Sequence, residues 1–126
     1  MRSLDQAEQL KARAKRFAVR IVKLSASLPK TDQARVIGKQ VLRSGTSMAA
    51  NYRATCRARS KAEFAAKLGV VVEEVDETVY WLELLQEAGI LDREAMDGLY
   101  EEANELLAIF AASQRTVRSN NVSMKK

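Results

Sequence analysis

Residues 60–89, SKAEFAAKLGVVVEEVDETVYWLELLQEAG, read as one long amphipathic helix bounded at both ends. Ser60 and Glu63 have the spacing of a capping box, in which hydroxyl and carboxylate satisfy backbone N–H groups that a helix start leaves unpaired. Phe64, Leu68, Val71, Val75, Thr78, Leu82 and Leu85 recur at alternating steps of three and four, the seam of bundle packing. Val72, Val79 and Trp81 widen that stripe, and a helix apolar over so broad an arc touches more than one neighbour. Gly89 supplies a helix-terminating C′ residue with Ile90 as its apolar partner.

The same period extends in both directions. Upstream, Ser3 with Gln6 caps a first helix over about 4–28, with seam Ala7, Leu10, Ala14, Phe17, Ile21, Leu24 and Leu28. Pro29 closes it, since its ring and missing N–H cannot continue a helix. A second helix over about 32–58 follows Thr31 or Asp32 as cap, with seam Ile37, Val41, Ser44, Met48, Asn51 and Thr55. Downstream, Asp92 caps a fourth helix over about 93–118, with seam Met96, Leu99, Ala103, Leu106, Phe110, Ser113 and Val117. Residues 119–126 are polar and without period, and read as a disordered tail. Short connections make successive helices antiparallel neighbours, so the expected fold is an all-α, up-down-up-down four-helix bundle in one domain, residues 1–118.

Composition agrees and excludes several classes of function. The chain has 126 residues, 47% hydrophobic and 29% charged, too apolar for disorder, with one proline and five glycines. Histidine is absent, which removes the commonest general base and metal ligand, and with it the Glu-x-x-His pairs of di-iron bundles. No catalytic residue, metal site or cofactor is expected. The lone Cys56 excludes an intrachain disulfide and fits a reducing compartment. No apolar run approaches the ~18 residues of a membrane span and no secretory leader is read at the start, so a cytoplasmic location is expected.

Charge is divided along the chain. Residues 1–60 carry 14 Lys/Arg against 3 Asp/Glu, whereas residues 61–118 carry 5 against 13. Lys39, Arg43, Arg53 and Arg57 fall on one face of helix 2, and Arg13, Arg16, Arg20 and Lys23 form a row on helix 1. Such stripes can track phosphates and release counterions, which makes these eight residues candidates for non-sequence-specific contact with RNA or DNA. Tyr52, beside Arg53, offers a ring for stacking. Glu73, Asp76 or Glu77, Glu83 and Glu87 on helix 3, and Glu94, Asp97, Glu101 and Glu105 on helix 4, form the acidic counterpart. An acidic half facing a basic half on the next copy is a heterologous contact, the kind that closes into rings, and it competes with nucleic acid for the same arginines. Asn51, polar at a seam position, is a candidate for fixing register. Tyr80 and Trp81 diverge by ~100° around their helix. One serves the bundle and the other an interface, unless Trp81 simply lies between two helices of its own bundle.

Three blocks of this chain look like blocks of a known bacterial family. Ser44-Gly45-Thr46-Ser47-Met48-Ala49-Ala50-Asn51-Tyr52-Arg53, Ala58-Arg59-Ser60-Lys61-Ala62-Glu63-Phe64 and Glu73-Glu74-Val75-Asp76-Glu77-Thr78-Val79-Tyr80-Trp81-Leu82-Glu83-Leu84-Leu85 resemble, in order, those of the family called "four helix bundle protein". Its members include proteins encoded in intervening sequences of large-subunit ribosomal RNA genes. The accessory variability proteins of diversity-generating retroelements look like distant relatives. The resemblance implies a cytoplasmic bundle that assembles as a homopentamer and, for the retroelement relatives, binds nucleic acid and a reverse transcriptase. Many members carry Glu where this chain has Ala54 or Thr55, so no role of that carboxylate transfers. The expected function is a non-enzymatic oligomeric scaffold with nucleic-acid binding as a secondary property. The alternative is a dedicated RNA- or DNA-binding accessory protein of a retroelement-like or intervening-sequence system.

Overall fold

Ser3 opens the first helix by the expected reciprocal cap: Gln6 N–H donates to the Ser3 hydroxyl at 3.1 Å, and Ser3 N–H donates to the Gln6 side chain at 3.0 Å. The computed structural model describes residues 3–124. Its elements are α1 (Leu4–Ala26), α2 (Asp32–Thr55), α3 (Lys61–Glu87) and α4 (Leu99–Met124). Thr31 and Ser60 cap α2 and α3, accepting from Ala34 N–H and Glu63 N–H, both at 3.1 Å. At the end of α3, Gly89 takes φ +74°, and Ile90 N–H bonds to Leu85 O at 3.0 Å. Gly89 N–H reaches Gln86 O, which completes the paired carbonyl satisfaction of a Schellman ending.

Each helix packs on its chain neighbours, and α1 meets α4 to close the ring, with α1–α4 the least intimate of the four seams. The bundle is therefore all-α and up-down-up-down. Leu10, Phe17, Ile21, Val41, Met48, Leu68, Leu82, Leu106 and Phe110 fill its centre. Close approach of α1 and α2 depends on Gly45, where a Cβ would fall 2.9 Å from the Ile21 side chain. No helix among the described residues is long and apolar enough to cross a membrane.

The structure corrects several expectations. α1 ends at Ala26 and α2 at Thr55, each short of the expected boundary. α4 starts at Leu99, not near 93. Asp92 does cap a turn, accepting from Ala95 N–H at 2.7 Å, but the chain then passes through Asp97 at φ +48° and Gly98 at φ +76°. Those left-handed residues break the turn before the helix begins. Met96 is nonetheless buried as its seam position requires. α4 also continues through the polar stretch read as a tail, reaching Met124, and Lys125 and Lys126 lie outside the described residues. In α2 the seam passes through Tyr52 instead of Asn51. Tyr52 is buried, its ring 4.9 Å from that of Phe110, so it offers no free face to a base.

Candidate functional site

The eight basic candidates divide into two groups. Arg13 grips Glu102 bidentately at 2.6 and 2.8 Å and adds Glu105 at 2.7 Å, joining α1 to α4 across the loosest seam. Arg20 donates to the Asp97 carbonyl, tying α1 to the left-handed turn before α4. Arg43 reaches Glu74 at 3.1 Å and also Glu77, joining α2 to α3. These three are internal fasteners. Arg16, Lys23, Lys39, Arg53 and Arg57 are exposed and have no ion pair among the described residues. Of the predicted stripes, the free cations are therefore Lys39, Arg53 and Arg57 on α2 and Arg16 and Lys23 on α1.

The carboxylates that hold the fasteners include Glu74 and Glu102, which sequence reading did not single out. Their signal was available, since each lies one helical turn from an acidic stripe residue on its own helix, Glu74 from Glu77 and Glu102 from Glu105. The Arg13 hydrogen bond holds the Glu102 carboxyl below the ordinary carboxylate range. Arg43, with the Trp81 indole N–H at 3.2 Å, does the same to Glu77. Both arginines are shifted upward in turn, chiefly by those same hydrogen bonds. Glu101 is lowered by its own backbone N–H first and by Arg93 second.

Asn51 does not bridge helices. Its amide donates to the carbonyl and hydroxyl of Ser47, both at 2.9 Å, within α2. A fully buried neutral pair that does cross a seam is Ser44 with Thr78, 2.8 Å apart. Trp81 is half-buried on the edge of the bundle, tied to Glu77, whereas Tyr80 is 55% exposed and meets the indole edge-on. Cys56 is the exposed C-cap of α2. Among the described residues no group of His, Cys, Asp or Glu is placed to hold a metal ion, and every buried side-chain polar atom has a partner.

This anatomy defines an antiparallel four-helix bundle with a polar lock in its core and unpaired cations on α1 and α2. The chain belongs to the family of 23S rRNA-intervening sequence proteins, whose model matches residues 7–112. Among solved structures it is similar to a protein of unknown function from the S23 ribosomal protein family of Bacteroides thetaiotaomicron VPI-5482. The two share 37% identity with a TM-score of 0.77, over 83% of this chain and 97% of the other. No curated protein matches.

Proposed function

We propose that the protein is a non-enzymatic cytoplasmic scaffold that works as a homo-oligomer, and that its free cations give it a secondary, sequence-independent affinity for nucleic acid. The observation that carries the reading is the outer face of α3. Ala66 and Val70 toward its start and Tyr80 and Leu84 toward its end share that face at helical spacing, Val70 40% and Tyr80 55% exposed, with the acidic Glu73 and Glu77 between the two pairs. Exposed apolar side chains interleaved with carboxylates suit a contact that is part apolar and part charged, and another copy of the chain, with its basic α1–α2 surface, provides one. The division of charge supports a head-to-tail contact, acidic α3–α4 surface against basic α1–α2 surface, which closes into a ring. Five copies is the number the family resemblance implies.

The nucleic-acid property rests on Lys39, Arg53 and Arg57, which no carboxylate of the described chain neutralises. Fluorescence anisotropy of a labelled RNA and a labelled duplex DNA, titrated at several salt concentrations, tests it. Binding should weaken steeply with salt and show little sequence preference. Replacing Arg53 and Arg57 together by Glu should reduce the duplex salt slope by about 2, roughly one unit per lost phosphate contact. Absence of binding at low salt removes this property. Dissociation of the oligomer by the same double substitution instead assigns both arginines to the subunit contact.

A further inference from the structure

At the end of the bundle where α1 and α3 begin, residues of all four helices and of the α2–α3 connection line an open cavity of about 740 Å3. That volume lies within the roughly 300–1,000 Å3 of small-molecule sites, and the walls are mainly apolar, as such sites are. Tyr52, Thr55 and Leu68 are among its lining and are buried, with half-buried Phe64 beside them. Leu4 stands at the cavity 83% exposed, an apolar side chain with little cover. The charges at the mouth are not balanced. Glu8 is already held by Lys11 at 2.8 Å, whereas Arg59 has no ion pair among the described residues.

We infer that this cavity is a binding site for an anionic amphiphile, its hydrocarbon chain between the helix ends and its carboxylate at Arg59. An apolar interior favours the chain and disfavours a fully hydrated ligand. The uncompensated cation sets the sign of the head group. This site is at one end of the bundle and is independent of the outer α3 face.

Cys56 lines the cavity and is the chain's only cysteine, so its thiol reports occupancy. The test follows its reaction with the neutral reagent 4,4′-dithiodipyridine in the presence of octanoate, decanoate or dodecanoate below their micellar concentrations, with helix content followed by circular dichroism. Dodecanoate should slow the reaction saturably, by about tenfold, with helix content unchanged. Each added pair of methylenes should tighten binding by about fifteenfold, the fold-change of roughly fourfold per buried methylene. Arg59→Gln should weaken dodecanoate about three- to fivefold, as expected for a partly exposed ion pair. Ala112→Trp, which fills the cavity from an exposed position, should abolish protection, and Thr116→Trp provides a second filling variant should the first fail to fold. The inference is overturned by no protection, by no dependence on chain length, by equal protection from dodecyltrimethylammonium, by protection that survives filling, or by protection that appears only as helix is lost.

Discussion

The Ser44 and Thr78 hydroxyls meet 2.8 Å apart in the middle of the α2–α3 seam, with both side chains fully buried. Thr78 also lies 2.7 Å from the Glu74 carbonyl, and Ser44 lies 3.5 Å from that of Val41. The two protons can therefore be placed so that neither hydroxyl is orphaned, in a seam otherwise lined by Val41, Met48, Val71 and Val75. A mutual pair of this kind ties the register of α2 to that of α3.

Removing one member leaves the other unsatisfied. Thr78→Val should cost about 1–2 kcal/mol in urea unfolding, because the shape is kept and the partner is lost. Ser44→Ala in that background should cost less than it does alone. Additive losses across the double-mutant cycle would show that the two hydroxyls do not interact.

Two helical glycines should respond with opposite signs. At Gly45 a Cβ meets Ile21 at 2.9 Å, so Gly45→Ala overpacks the α1–α2 seam. The strain of about 1–3 kcal/mol exceeds the gain of up to ~1 kcal/mol in helix propensity, giving a net loss of about 1 kcal/mol. At Gly69 the nearest atom is the flexible Gln114 amide at 3.4 Å, so Gly69→Ala should gain about 0.5–1 kcal/mol. Thermal unfolding of the two variants reads the difference directly.

These sites also mark how far the sequence was legible. The seams of α1 and α3 follow from strict spacing of large apolar residues, and the side chains from Leu10 to Leu24 and from Leu68 to Leu85 are buried as their periods require. In α2 small and polar residues blur the period. After Met48 a step of three leads to Asn51 and a step of four to Tyr52, and choosing three hid the ring that packs on Phe110. A helical period at 3.6 residues drifts against a strict alternation of three and four, so the error grows toward the helix end. The α4 start was obscured by a true local cap at Asp92, while the Asp97-Gly98 pair, starting five residues later, was the stronger stop signal. The basic stripes were visible as spacing. Which arginines were free was not, because pairing depends on carboxylates brought in from other helices.

Acid should weaken the fasteners first. Glu102 and Glu77 are held below their ordinary range by Arg13 and Arg43. Above the unfolded value of about 4.3 both states are ionised and the stabilisation is complete. As pH falls through that value the unfolded chain takes up protons first, and the stabilisation is lost by the time pH passes the depressed folded values. Arg13→Gln should therefore lower stability at pH 7, and the gap from the parent should shrink toward pH 3. A gap that is constant with pH would separate Arg13 from the Glu102 titration.

Arg53, Arg57 and Lys39 are exposed and have no ion pair among the described residues, so charge reversal there should leave the fold intact. Arg57→Glu should change the unfolding midpoint by no more than ~0.5 kcal/mol equivalent, the usual range for exposed positions. A larger loss, measured by urea unfolding of the variant, would assign Arg57 a structural partner.

The most direct test of the proposed assembly is molar mass by light scattering at low and high salt, on the parent chain and on Tyr80→Glu. The 14.0 kDa chain should run as a multiple of that mass at both salts. Tyr80→Glu, which places a charge on the outer α3 face, should fall to the monomer while keeping its helix content. A parent chain that is monomeric at low salt, or a Tyr80→Glu variant whose mass equals the parent's, would contradict self-association through that face.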